Sequence, residues 1–146
     1  MTLEHDADFQ GSFFGLDIDG ITLGMFTGCT GLSMEFDVIN FKEADGAMHH
    51  ERKMAGKPKY TEVVLKRGFT ADTGLQDWFD EVVEANTDTP YKTGSIIIYD
   101  RTQNEVARFN LDRCWPSKLS VSDLKSDSDD VMVEELTIQH ELLAWV

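Results

Sequence analysis

Only one stretch of this 146-residue chain repeats its apolar residues with clear helical spacing. Leu75, Trp78, Phe79, Val82 and Val83 fall at i, i+3, i+4, i+7 and i+8, a single stripe that should pack a helix over residues 73–86 against a sheet. Thr73 with Gln76 forms a candidate capping box, Asp72 adds negative charge at the start, and Asn86 and the polar run to Pro90 end the helix. On either side the pattern is that of strands. A parallel sheet needs a helical crossover for nearly every strand, and one helix cannot supply them. The expected fold is therefore mainly β, two packed antiparallel sheets (a sandwich or small barrel) with one flanking α-helix, in a single domain over residues 1–146.

Residues 9–27 read as a hairpin around Asp19-Gly20. Met34, Phe36 and Val38 alternate with Glu35 and Asp37, after which the apolar set changes phase to Ile39 and Phe41, the mark of a bulge or a change of environment. Residues 43–58 show no period and read as a long interaction loop, carrying His49, His50, Arg52, Lys53 and Lys57 on an otherwise acidic chain. Tyr60 to Arg67 is a strand. In the second half Ser95–Asp100 and Glu105–Cys114 pair through Thr102-Gln103-Asn104, and Trp115-Pro116 breaks the second of them. Lys118–Val121 is a short extended piece and Ser122–Asp130 an acidic surface loop. The last strand places Met132, Leu136, Ile138 and Leu142 on one face, interrupted by Glu134 and His140.

With 27 Asp and Glu against 13 Lys and Arg, the net charge is −14, which opposes direct nucleic-acid recognition and binding to anionic membranes. No run approaches the ~20 apolar residues of a membrane span. Residues 1–8 form an N-terminal arm with neither a basic n-region nor an apolar h-region, so assembly in the cytoplasm is the expectation. Cys29 and Cys114 read as buried reduced thiols.

Catalysis finds no support in these residues. His49-His50-Glu51 could donate to a metal, but neighbours in an extended segment point to opposite sides and no third and fourth ligand stands at suitable spacing. There is no Gly-x-Ser-x-Gly elbow, neither cysteine has a histidine nearby in sequence, and the glycines at 11, 15, 20, 24, 28 and 31 lead into no helix. Asp127, Asp129 and Asp130 lack the glycine and closing glutamate of a calcium loop. No cofactor or metal is expected. Sheet edges that need covering and a long loop carrying several cations on an acidic body favour self-assembly instead.

Four ordered blocks give the chain a more specific likeness. Lys53-Met54-Ala55-Gly56-Lys57-Pro58-Lys59-Tyr60 with Leu65-Lys66-Arg67-Gly68, Asp77-Trp78-Phe79, Asn110 with Trp115-Pro116-Ser117-Lys118, and Glu134 to Glu141 together resemble the tail tube family of contractile phages and extracellular contractile injection systems. The likeness runs from about Phe9 to Leu142. It departs in having Ala55 where proline is common and Leu119 where tryptophan often follows the lysine. It implies a structural inner-tube subunit that is not an enzyme, forming hexameric rings whose strands join around a lumen. Its implied partners are further copies of itself, the sheath protein, baseplate or spike and cap proteins, and cargo in the lumen. Met48, His49, His50, Arg52, Lys53, Met54, Lys57 and Pro58 are then the expected ring-stacking or subunit interface, and Leu75, Trp78, Phe79, Val82 and Val83 the helix packing. A type VI secretion-like tube ring and a small-ligand-binding β-barrel are the alternatives.

Overall fold

The computed structural model describes residues 13–42, 50–70, 72–122 and 132–146. Among these residues the expected antiparallel pairing is present, with ten strands, β1 (Phe13–Ile18), β2 (Ile21–Phe26), β3 (Gly28–Thr30), β4 (Met34–Phe41), β5 (Arg52–Tyr60), β6 (Val63–Gly68), β7 (Lys92–Tyr99), β8 (Glu105–Val121), β9 (Val133–Gln139) and β10 (Leu142–Trp145). One helix, α1 (Gly74–Ala85), lies between β6 and β7. Eight strands follow the order β2-β1-β7-β8-β9-β6-β3, with β10 added beside β8. Only Thr27 separates β2 from β3, so one run of chain starts beside β1 and finishes beside β6, and the path returns on itself as a small barrel. The fold class read from the sequence holds, as two antiparallel sheets and one helix.

The barrel is filled rather than hollow. Leu16, Ile18, Phe26, Val63, Leu65, Ile96, Leu111, Leu136, Ile138 and Leu143 make the core, and Leu75 and Trp78 of α1 join it. The helix is seated by two of its five stripe residues: Phe79 and Val82 are half-buried, and Val83 is 64% exposed. Val83 therefore does not pack as the stripe implied, because α1 lies on the curved outside of the barrel and only a narrow strip of it meets the sheets. The cap differs too. Thr73 makes no side-chain cap; Asp72 Oδ1 accepts from the Gly74 amide at 3.0 Å, while Gln76 Nε2 donates to Asp80 Oδ1 at 3.0 Å. Asn86 closes the helix at a positive φ of 59°, its amide donating to the Val83 carbonyl.

Two readings of the second half are corrected. Trp115-Pro116 does not end a strand: β8 runs unbroken for 17 residues. It pairs with β7 as far as Cys114 and with β9 from Trp115 onward, and the missing Pro116 amide falls where the register slips between Pro116 and Lys118. The last strand, conversely, is two. β9 pairs with the far part of β8, and β10 turns back to pair Leu142–Trp145 with Asp112–Phe109. Glu134, which broke the apolar face on paper, points inward and meets Arg67 at 2.9 Å, with both residues 6% exposed.

Cys114 is buried, its thiol directed at the Lys92 carbonyl at 3.1 Å, and Cys29 is half-buried against the core; both are free. Burial pushes the Cys29 thiol from the ordinary 9.0 to about 12 and the Cys114 thiol to about 11. Because the folded pKa is raised, the stability this contributes is complete below about 9, where the unfolded thiols still hold their protons. It is lost as the pH climbs towards about 12. At pH 8 a thiol reagent should label the native chain at least ~10-fold more slowly than the urea-unfolded chain. Equal rates would show that these thiols are open to solvent.

Candidate assembly interface

The described residues place β4 and β5 apart from the barrel as a two-stranded sheet of their own. Residues 52–58, read from the sequence as part of an aperiodic loop, are thus strand. The period was missing because, among the described residues, nothing covers either face of the hairpin to impose an inside and an outside. Pairing runs from Met34 opposite Tyr60 to Phe41 opposite Arg52, with a slip between Phe36 and Val38 where β5 holds an extra residue near Gly56. β4 keeps its alternation through this point. Met34, Phe36 and Val38 consequently share one face, while Ile39 and Phe41 share the other.

Every residue of β4 is exposed, including Phe36 at 59% and Val38 at 61%. Met54 is exposed as well. A lone two-stranded sheet is barely stable in water, and an uncovered apolar patch of this kind marks a contact surface. Charge is unevenly spread over it: β5 carries Arg52, Lys53, Lys57 and Lys59 and no acid. Lys59 pairs with Asp37 at 2.7 Å and Arg52 is engaged too, whereas Lys53 and Lys57 have no partner among the described residues.

The root of the hairpin is tightly specified. Gly31 sits at φ 91°, and a Cβ there would run into the Glu62 carbonyl across the neck. Ser33 Oγ and Thr61 Oγ1 lie 3.0 Å apart. From the end of β9, Gln139 Nε2 donates to Glu62 Oε2 at 2.8 Å, and His140 Nε2 lies 2.9 Å from the Thr61 carbonyl. A carbonyl only accepts, so Nε2 is the protonated nitrogen. His140 also meets Tyr60 edge-on, ring centroids 6.0 Å apart. Read alone, His140 was an isolated strand residue; its place in the closing block of the likeness was the only signal of this anchoring role.

Of the residues proposed for the interface, Arg52, Lys53, Met54, Lys57 and Pro58 lie together on β5, and His50 is exposed just before it. Met48 and His49 lie outside the described residues, as do the N-terminal arm and most of the acidic 122–130 stretch.

The described residues thus form a filled β-barrel with one outer helix and a separate hairpin whose apolar side chains are exposed. Residues 10–144 match the model of the T4-like virus tail tube protein gp19 family, nearly the whole chain, and the chain belongs to that family. Its fold is similar to a chain of the PVC sheath–tube complex, an extracellular contractile injection system in its extended state (TM-score 0.81, 18% identity, 100% of this chain and 98% of the other). It is likewise similar to a chain of the anti-feeding prophage tube-terminating cap (TM-score 0.81, 16% identity, 100% and 94%). Hcp1 from Flavobacterium johnsoniae shares the fold less closely (TM-score 0.52, 14% identity, 91% and 94%). No curated protein sequence matches the chain.

Proposed function

We propose that the chain is the inner-tube subunit of a contractile injection system or contractile phage tail, stacking as hexameric rings around a lumen and contributing structure, not catalysis. The observation that carries this is the β4–β5 hairpin, whose exposed Met34, Phe36, Val38, Ile39, Phe41 and Met54 are left for another molecule to cover. Family membership says which kind of assembly: neighbours on the ring and in the next ring, a surrounding sheath, and baseplate and cap proteins at the ends, the company in which the similar chains are found. The particle is assembled in the cytoplasm and carries the tube to its target. A type VI-like ring is the second reading, disfavoured by the weaker similarity to Hcp1. A ligand-binding barrel would need an open interior, and side chains fill this one.

Phe36→Glu combined with Ile39→Glu tests the reading on both faces of the hairpin. Both positions are exposed in the subunit, so melting should change little, while electron microscopy of the purified protein should show no tubes where the parent forms them. Normal tubes from the double variant would refute an assembling role for the hairpin.

A further inference from the structure

A cavity of about 230 Å³ opens between α1 and the β1–β2 turn, lined by Ile18, Asp19, Leu23, Gly74, Asp77, Trp78, Glu81 and Lys92. It is larger than the roughly 30 Å³ that one water occupies in the liquid. Trp78 closes its floor and is only 3% exposed. Of the acids in its wall, Asp77 faces no cation among the described residues, whereas Glu81 meets Lys92 at 2.6 Å. The same helix bears Asp80 and Glu84 and no cation at all; Glu84 stands in the last turn, where the helix dipole disfavours an anion.

We infer that this cavity and the acidic side of α1 receive the open edge of β5 from a second copy of the chain, an inference that rests on the hairpin being the assembling element. The two surfaces are complementary in charge: four cations and no acid on β5, four acids and no cation on α1. On each the charges left over are the ones that would meet, Lys53 and Lys57 on one side, Asp77, Asp80 and Glu84 on the other. Among the described residues β5 pairs only with β4, so its far side is an open strand edge that a second copy can meet. Topology sets the direction. The hairpin enters β6 at Val63 and the chain leaves β6 at Gly68 towards α1, which separates donor and receptor by the length of that strand, roughly 17–20 Å. A contact between different surfaces at opposite ends of a strand is head-to-tail, and such contacts propagate rather than close as a pair.

Reciprocal charge reversal in the full chain tests this, with assembly read by sedimentation and negative-stain microscopy and folding read by circular dichroism. Lys53→Glu/Lys57→Glu and, separately, Asp77→Lys/Asp80→Lys should each lower the pelletable tube at least about tenfold, because like charges then face each other. The chain carrying all four changes, or an equimolar mixture of the two double variants, should recover most of it. If the hairpin reversal abolishes tubes but the helix reversal does not, or if the four-fold variant is no better than either parent variant, the α1 receptor is wrong while the hairpin's role stands. If neither reversal affects tubes, and the Phe36→Glu/Ile39→Glu chain also assembles normally, the hairpin reading itself falls.

Discussion

Glu134→Ala should destabilise the subunit by about 3–5 kcal/mol, because it strands the Arg67 guanidinium in the barrel without its counter-charge. Arg67 is committed to that position. Its guanidinium lies 5.1 Å from the centre of the Phe26 ring, and a Cβ at Gly24 would overlap Nη1, so any larger residue there would have to push the guanidinium aside. Nη2 already lacks a partner among the described residues, which leaves the single carboxylate to carry the neutralisation. The revealing comparison is Arg67→Met with Glu134→Leu. Removing both charges should cost clearly less than removing Glu134 alone, as measured by urea unfolding with unchanged slope. Equal losses would mean that the two residues act independently and that the pair is not what holds this end of the barrel.

Trp78→Ala should cost a similar amount, about 3–5 kcal/mol, and lower soluble yield. Trp78 is the one large aromatic through which α1 enters the core, next to Leu75. Trp78→Phe separates its two properties. It retains most of the packing and deletes a buried donor that has no partner, so the isolated subunit should be as stable as the parent or slightly more so. A thermal melt unaffected by Trp78→Ala would detach the helix from the core altogether.

How much of this could be read from the chain depends on what imposes a pattern. Where one face is buried by the chain's own core, the residues announced it: Leu75 and Trp78 on a helical period, Leu136 and Ile138 on a strand period. Where the described residues leave both faces of a strand uncovered, as on β5, no period arises, and residues 52–58 were indistinguishable from a loop. Glu134 failed for another reason, since the partner that makes an inward acid tolerable is 67 residues away. The continuity of β8 was hidden by Pro116, whose effect on a strand depends on whether its amide position faces a bulge or a ladder partner. The interface residues were named from the likeness in blocks, and their shared strand emerged only from the pairing with β4.

The unbroken β8 has a mechanical consequence for a tube subunit of the kind proposed. Its first part lies in the sheet with β1, β7 and β10, its second in the sheet with β9 and β6. A shear between the two sheets must therefore turn the backbone of β8 at the crossing, against the ladder hydrogen bonds on either side, and cannot proceed by sliding one apolar layer over another. Resistance to that deformation is concentrated at Arg113 to Pro116, where β8 passes from one partner strand to the other.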